Sequence, residues 1–429
     1  MKVLTSNLYS TLWNDSVLQK RIEQGIEANR KSDAEIQIRA FDGKPLPGIK
    51  VEVEQYTSSF HFGANIFKLN DYSDEVLNRN YEKAFVGLLN AATVPFYWRT
   101  LEPEEGHLRF DAHSMPFSRR PPPDQAVRFC KENGLRMHGH TLVWNMRQWS
   151  IPDWLPDDPQ VAEPFWEKRI REIAQRYGDD IHRWDVLNEA TATHYGILGQ
   201  KMLPDYELKA FKLAEKYFPS GTRFDINETT NSWNLASPDY TSLIERLTDE
   251  GLPLGGIGMQ FHLFSDEELL DVSNGRAHTP EALLEALDHY SKFNLPIHIS
   301  EITLPSPGNT TESLEAQALV ARNLYRLWFS HSSVEGISWW NFPDGGAVYG
   351  EDKLCSGLLF ENLQPKPAYD ALRDLLHDEW RTKFTGTTDD DGNVQFRGFH
   401  GVHRISTALN TQSTITLEPG KSANKLIYI

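Results

Sequence analysis

This sequence predicts an α/β fold: a (β/α)8 barrel of the TIM type, with a small β-sandwich-like accessory domain built from the N- and C-terminal segments. Three observations lead there. Between about residue 60 and residue 375, short β-rich runs alternate with longer amphipathic stretches, the pattern of βα units repeated around a parallel sheet. The β-rich runs number eight, which matches a closed barrel of this kind. Both flanks instead alternate apolar and polar residues with period two, as half-buried strands do.

In chain order, residues 33–56 (DAEIQIRAFDGKPLPGIKVEVEQY) read as two strands around Asp42-Gly43, a hairpin-type signal. The barrel strands follow at 60–65 (FHFGAN), 91–98 (AATVPFYW), 136–144 (RMHGHTLVW), 182–189 (HRWDVLNE), 222–228 (TRFDINE), 255–262 (GGIGMQFH), 296–301 (PIHISE) and 336–341 (GISWWN). Helices are expected at 124–133, opened by Asp124 and closed by Gly134, and at 162–177, 205–218, 238–250, 280–292 and 311–330. The tract Ser118-Arg119-Arg120-Pro121-Pro122-Pro123 suits neither helix nor sheet interior and reads as a stiff polyproline loop. Residues 384–429 return to short alternating runs, with a turn at Asp391-Gly392. Both ends read as β-rich and helix-poor, so they are expected to meet as one small sandwich. They serve either to cover each other's edges or to bind sugar. The expected division is 1–57, 58–380 and 381–429.

Composition narrows the function. With 43 Lys and Arg against 60 Asp and Glu, the net charge is −17 and is spread along the chain, which argues against a nucleic-acid partner. No apolar run approaches the roughly 18 residues of a membrane span. Cys130 and Cys355 make no disulfide framework, and the start MKVLTSN lacks the apolar core of a signal peptide. As given, the chain reads as cytoplasmic; a secreted chain already relieved of its leader would read the same. No GxGxxG or GxxxxGK[ST] motif opens a helix, and His138, His140 and His182 do not make a zinc set, so no cofactor or metal is expected. The 12 Trp exceed what core filling needs and suit a surface that stacks on sugar rings.

Polar residues gather where the apolar runs end: Asn188-Glu189, Asn227-Glu228, Gln260 and His262, Glu301, and Asn341. In such a barrel the C-terminal strand ends carry catalysis. Glu189 ends the fourth strand and Glu301 the seventh, so the two carboxyls face one cleft across the barrel mouth. Two carboxylates with amide and imidazole neighbours and abundant tryptophan point to glycoside hydrolysis, in which one carboxyl donates a proton and the other attacks or stabilises the anomeric carbon.

WDVLNEA (184–190), HGHTLVW (138–144), IGMQFH (257–262), the strand end at Glu301 and WWNFPD (339–344) together resemble glycoside hydrolase family 10, the endo-1,4-β-xylanase family, with PKPAYDAL (365–372) similar to its last helix. The resemblance implies a retaining mechanism with Glu189 as acid/base and Glu301 as nucleophile. It also implies sugar-binding roles for Asn188, His140, Trp144, Gln260, His262 and Trp340, and a β-linked oligo- or polysaccharide as partner. Trp98, Trp184 and Trp339 read as packing, whereas Trp149 and Trp154 fall in the loop after the third strand and are candidates for the mouth. The family's Glu-Asn pair and Lys that grip the second glycone sugar are replaced by Thr93, Val94 and Tyr97. Its His after LVW is Asn145, its Asp two residues past the nucleophile is Thr303, and an aromatic of the last loop is Val348. The expected function is xylan or xylo-oligosaccharide hydrolysis. The alternatives are an outlier acting on short xylosides or another β-linked glycoside, and a barrel that only binds carbohydrate.

Overall fold

Strands covered by helices on one side and by packed side chains on the other have no wet face, and their sequences lose the polar alternation of a one-sided sheet. The strands Arg183–Asn188 (β6) and Ile297–Thr303 (β9) are buried at every residue. In the computed structural model, which describes residues 6–192, 199 and 201–429, they belong to a closed barrel. The other staves are His61–Asn65 (β3), Ala91–Pro95 (β4), Arg136–His140 (β5), Arg223–Glu228 (β7), Leu254–His262 (β8) and Val334–Trp339 (β10). Each pairs in parallel with its sequence neighbours, and β10 closes onto β3. The expected (β/α)8 barrel is therefore present.

Two strands are shorter than the sequence suggests. β4 stops at Pro95, and Trp98–Leu101 turns instead into a short helix that buries Trp98, whose indole N–H donates to Glu102 at 2.7 Å. β5 stops at His140, and the chain beyond it keeps to β6 through the N–H groups of Leu142 and Val143, which donate to the Asp185 and Val186 carbonyls at 2.9 and 3.0 Å. Gly139 sits where any Cβ would fall 2.2 Å from the Trp184 ring, so the close packing of β5 on β6 requires glycine there. A helix absent from the sequence reading, Glu75–Leu88, is capped by Asp74 and buries Asn78, Tyr81, Phe85 and Leu88 along one face.

The N-terminal segment corrects the expectation of helix-poor ends. Asn7–Trp13 and Ser16–Arg30 are helices, capped by Ser6 and Asp15; residues 1–5 of the segment lie outside the described residues. They dock on the barrel helix Thr311–Ser330, where Asn29 donates to the Ser330 carbonyl at 2.8 Å and Arg326 to Gln19 at 2.7 Å.

The expected hairpin is corrected too. The turn closes, with Gly43 N–H donating to the Ala40 carbonyl at 2.8 Å, but the strands Lys31–Arg39 (β1) and Lys50–Ser58 (β2) then part into different sheets. The remaining strands are Lys383–Thr387 (β11), Asn393–Phe399 (β12), Gly401–Thr407 (β13), Gln412–Leu417 (β14) and Ala423–Tyr428 (β15). β1 lies between β12 and β15, and β2 between β11 and β13, with β14 outermost. The two sheets share a core of Ile36, Ile38, Val51, Val53, Ile405 and Leu417. Each alternating strand has one apolar face to bury, and facing another sheet satisfies that face better than a lone hairpin does. Phe329, stacked on Trp380 with centroids 4.0 Å apart, also meets Phe399 of β12 at 6.2 Å and so joins barrel and sandwich.

Because β1 and β2 are central strands whose neighbours all come from the C-terminus, removing residues 381–429 leaves both edges of each unpaired. The truncated chain is expected to aggregate on size-exclusion chromatography; a monomer with an unchanged melting temperature would contradict this assignment of the core.

Candidate active site

The barrel brings the sequence-predicted residues Asn188, Glu189, His140, Trp144, Gln260, His262, Glu301 and Trp340 around one cavity of about 360 Å³ at the C-terminal strand ends. Glu189 follows the last residue of β6 in the left-handed region (φ 55°), where its N–H donates to the Asn227 carbonyl at 2.7 Å. A non-glycine residue held there is uncommon and re-aims the side chain at a functional position. Glu301 leaves β9 pointing inward and is 5% exposed.

One amide joins the two carboxyls. Gln260 Nε2 donates to Glu189 Oε1 at 3.0 Å and to Glu301 Oε1 at 3.1 Å. Those bonds laid end to end cap the separation of the two oxygens at about 6 Å. A separation of that order is compatible with the 5–5.5 Å of retaining carboxyl pairs. Glu301 Oε1 also accepts from Asn227 Nδ2 at 2.7 Å, and the same nitrogen donates to Asn188 Oδ1 at 2.9 Å. Glu301 Oε2 lies 3.2 Å from His262 Nε2, and the other nitrogen of that ring lies 2.7 Å from the Thr303 hydroxyl. A hydroxyl can donate to Nδ1 of a neutral ring, which leaves the N–H on Nε2 for the carboxylate. Trp144 donates its indole N–H to Glu189 Oε2 at 3.1 Å.

His140, on β5, is fully interior. Its Nδ1 lies 2.8 Å from Asp185, and its Nε2 4.0 Å from Glu301. Burial alone would lower its pKa, but the Asp185 hydrogen bond and the charges of Glu301, Asp185 and Glu189 overcome it and hold the imidazole above its ordinary value. Asp185 is held below its ordinary value because His138 and His140 outweigh the opposing effect of burial. Trp340 completes the wall, its ring 5.7 Å from His140 and 5.1 Å from Phe67.

Several cavity residues lay outside the sequence reading of the site. Asn227 was visible as a polar strand end, but its aim at Glu301 depends on the β7–β8 register. Phe67, Arg119, Arg120 and Glu351 line the cavity, although the sequence around the two arginines signals only a stiff loop. Of the three substituted clamp positions, Tyr97 reaches the cavity, whereas Thr93 and Val94 are buried in the barrel. Of the two mouth tryptophans, Trp149 lines the cavity. Trp154 does not: its indole N–H donates to the Glu102 carbonyl at 2.7 Å and its ring packs edge-on to Trp98. That ring is spent on supporting the short helix after β4. Among the described residues, no group of three or more His, Cys, Asp or Glu side chains is placed to hold a metal ion.

Behind Glu189 lies a third carboxyl. Glu228, 1% exposed, accepts from the Thr229 N–H at 2.9 Å, the Thr191 N–H at 2.9 Å and the Thr191 hydroxyl at 2.8 Å. Burial outweighs these donors and raises its pKa from 4.5 to about 7. The folded state therefore holds this proton more tightly than the unfolded chain does, and ionising Glu228 costs stability. The cost is absent below about pH 4.5 and complete above about pH 7, where it reaches about 3 kcal/mol. Glu228→Gln is expected to flatten the fall in unfolding free energy between pH 5 and pH 8, read by urea titration at each pH. An unchanged difference between the two pH values would refute the assignment.

The sequence profile of Glycosyl hydrolase family 10 matches residues 61–375. The chain is similar to Anti-sigma-I factor RsgI6 of Acetivibrio thermocellus, with 27% identity over 93% of this chain and 48% of that protein. It is also similar to Endo-1,4-beta-xylanase 2 of Arabidopsis thaliana, with 26% identity over 90% of this chain and 33% of that protein. Endo-1,4-beta-xylanase B of Thermotoga neapolitana is 26% identical over 67% of this chain and 80% of its own length. The chain thus spans half or less of the first two relatives. The crystal structure of native xylanase 10B from Thermotoga maritima superposes with a TM-score of 0.60 at 24% identity, covering 75% of this chain and 96% of that one, and shares the barrel fold.

Proposed function

The chain belongs to glycosyl hydrolase family 10, and from that premise we propose that it hydrolyses β-linked xylo-oligosaccharides or xylan with retention of anomeric configuration. The observation that carries this reading is the single Gln260 amide bridging Glu189 and Glu301 in a cavity walled by Trp144 and Trp340. The names of its xylanase relatives agree with the substrate class.

In the first step a Glu301 oxygen attacks the anomeric carbon. The glycosidic C–O bond breaks, its electron pair goes to the leaving oxygen, and that oxygen takes the Glu189 proton. A glycosyl ester on Glu301 results. Water then attacks the same carbon, giving its proton to Glu189 and expelling Glu301, so two inversions restore the starting configuration. Asn188, fixed by Asn227, is set to hold the 2-hydroxyl of the sugar, a contact that strengthens as the oxocarbenium ion develops. Asn227, Gln260 and His262 hold Glu301 as an oriented carboxylate, and Trp340 forms a wall for the ring. A second reading, action on short or differently decorated glycosides, is favoured by one feature: Tyr97 stands at the cavity where the family pattern has a lysine.

Glu301→Ala is expected to lower turnover of an aryl β-xyloside by at least about a thousandfold. Glu189→Ala should spare the first step for a good leaving group and, with added azide, release the β-glycosyl azide. No turnover of any β-glycoside by the unmodified protein would refute the enzyme reading. Mid-chain products from xylan and xylohexaose support the endo-acting form, whereas single sugars released from one end support the second reading.

A further inference from the structure

We propose that the glycone end of the cleft is built for a sugar bearing a carboxylate, a uronic acid in the second glycone position, gripped by Arg119 and Arg120; this rests on the glycoside hydrolase reading above. Both arginines are nine-tenths buried and both line the cavity. The chain buries other arginines, but it satisfies them. Arg30, Arg109 and Arg169 each spend three hydrogen bonds on backbone carbonyls. Arg183 and Arg223 are paired with Asp225 and Glu335.

Arg120 is different. Among the described residues its guanidinium donates only to the Arg119 carbonyl, from Nη1 at 2.8 Å, and it lies over the Tyr97 ring, 4.0 Å from the centroid. Its Nε and Nη2 have no hydrogen-bond partner among the described residues. Arg119 donates to the Gly346 carbonyl and, at 2.9 Å, to Asn341 Oδ1. No carboxylate among the described residues pairs with either guanidinium. The nearby acids are engaged: Glu351 accepts from Asn341 at 3.1 Å, and Asp71 accepts from Lys68, the Ser118 hydroxyl and the Arg119 N–H.

Two like charges buried side by side, with Glu351 and Asp71 acting on them only from a distance and no carboxylate bonded to either, are costly, and a bound anion relieves that cost. Burial first, and the neighbouring Arg119 second, push the Arg120 pKa down to about 9, which still leaves it charged at neutral pH. The planar fork of a guanidinium matches a carboxylate through two parallel N–H donors, and stacking on Tyr97 holds that fork in place. The contacts also set the position. Arg120 packs on the Tyr97 ring and that ring meets the His140 ring at 5.5 Å, which offers the second glycone position as the place where the cations act.

The test compares two 4-nitrophenyl substrates, a β-xylobioside and a β-xyloside capped at its non-reducing end by a uronic acid. In the unmodified protein kcat/KM is expected to favour the charged substrate by about tenfold or more, with the advantage shrinking between about 0.05 and 0.5 M NaCl. Arg120→Gln should bring the ratio of charged to neutral substrate close to one. A ratio near one in the unmodified protein, or one that Arg120→Gln does not move, overturns the proposal. Should Arg120→Gln fail to fold, the salt dependence of the unmodified protein decides. Should neither substrate turn over, the hydrolase reading falls, and calorimetric titration with the uronic-acid-capped xylose against xylobiose then decides this inference: equal affinities overturn it, tighter charged binding sustains it. Equal gain from an aryl β-glucuronide would instead place the charge on the sugar at the scissile bond and overturn the assignment to the second position.

Discussion

A carboxylate at a buried strand end is tolerable only if N–H groups replace the water it has lost, and the organisation of this site follows from meeting that requirement for Glu301. Its two oxygens are met by Asn227 from β7 and by Gln260 and His262 from β8. No single strand could supply all three, because adjacent residues on a strand point to opposite faces. Parallel neighbours in register can, since the same end of each strand presents its inward residue at the same height. The Gln260–Glu301 and Asn227–Gly258 pairings fix that height. Barrel closure is thus a condition of the site's chemistry as well as of its stability.

The same donors organise what surrounds Glu301. Gln260 spends its second N–H on Glu189, and Asn227 links the nucleophile candidate to Asn188. A change at any of these amides would misplace two functional groups together, so their effects on activity should not add. His140 enters the network from β5 with its orientation set by Asp185, a residue whose own charge is secured by two imidazoles.

Much of this was legible in the sequence because it depends on local pattern. Buried parallel strands appear as apolar runs, and polar residues at their ends mark one face of the barrel. The features that escaped depend on what meets what. The residues flanking Asp42-Gly43 announce two strands and a turn correctly. Their partners lie more than three hundred residues away, and nothing local says that each strand prefers a C-terminal neighbour to its sequential one. The helix Glu75–Leu88 carries a regular apolar face whose signal is diluted by Asn78 at a buried position. Arg119 and Arg120 sit before three prolines, a context that signals exposed loop, and only the packing of Phe67 and Tyr97 against them reveals that they are interior.

Tyr97 underlies the Arg120 cation at the cavity. A lysine at that strand end would carry its own charge into the cavity and repel a second cation placed over it. An aromatic ring offers the opposite, a face of negative potential on which a guanidinium can rest. Arg120 occupies that face at 4.0 Å, and Phe67 lies 5.0 Å away on another side. Positive charge at the cavity is thereby presented by a loop, and as a planar fork instead of a point charge. Such a fork selects planar anions, where an ammonium accepts any nearby oxygen. Ring and guanidinium thus depend on each other, since the Tyr97 face holds the fork and the charge of the fork is what that face attracts.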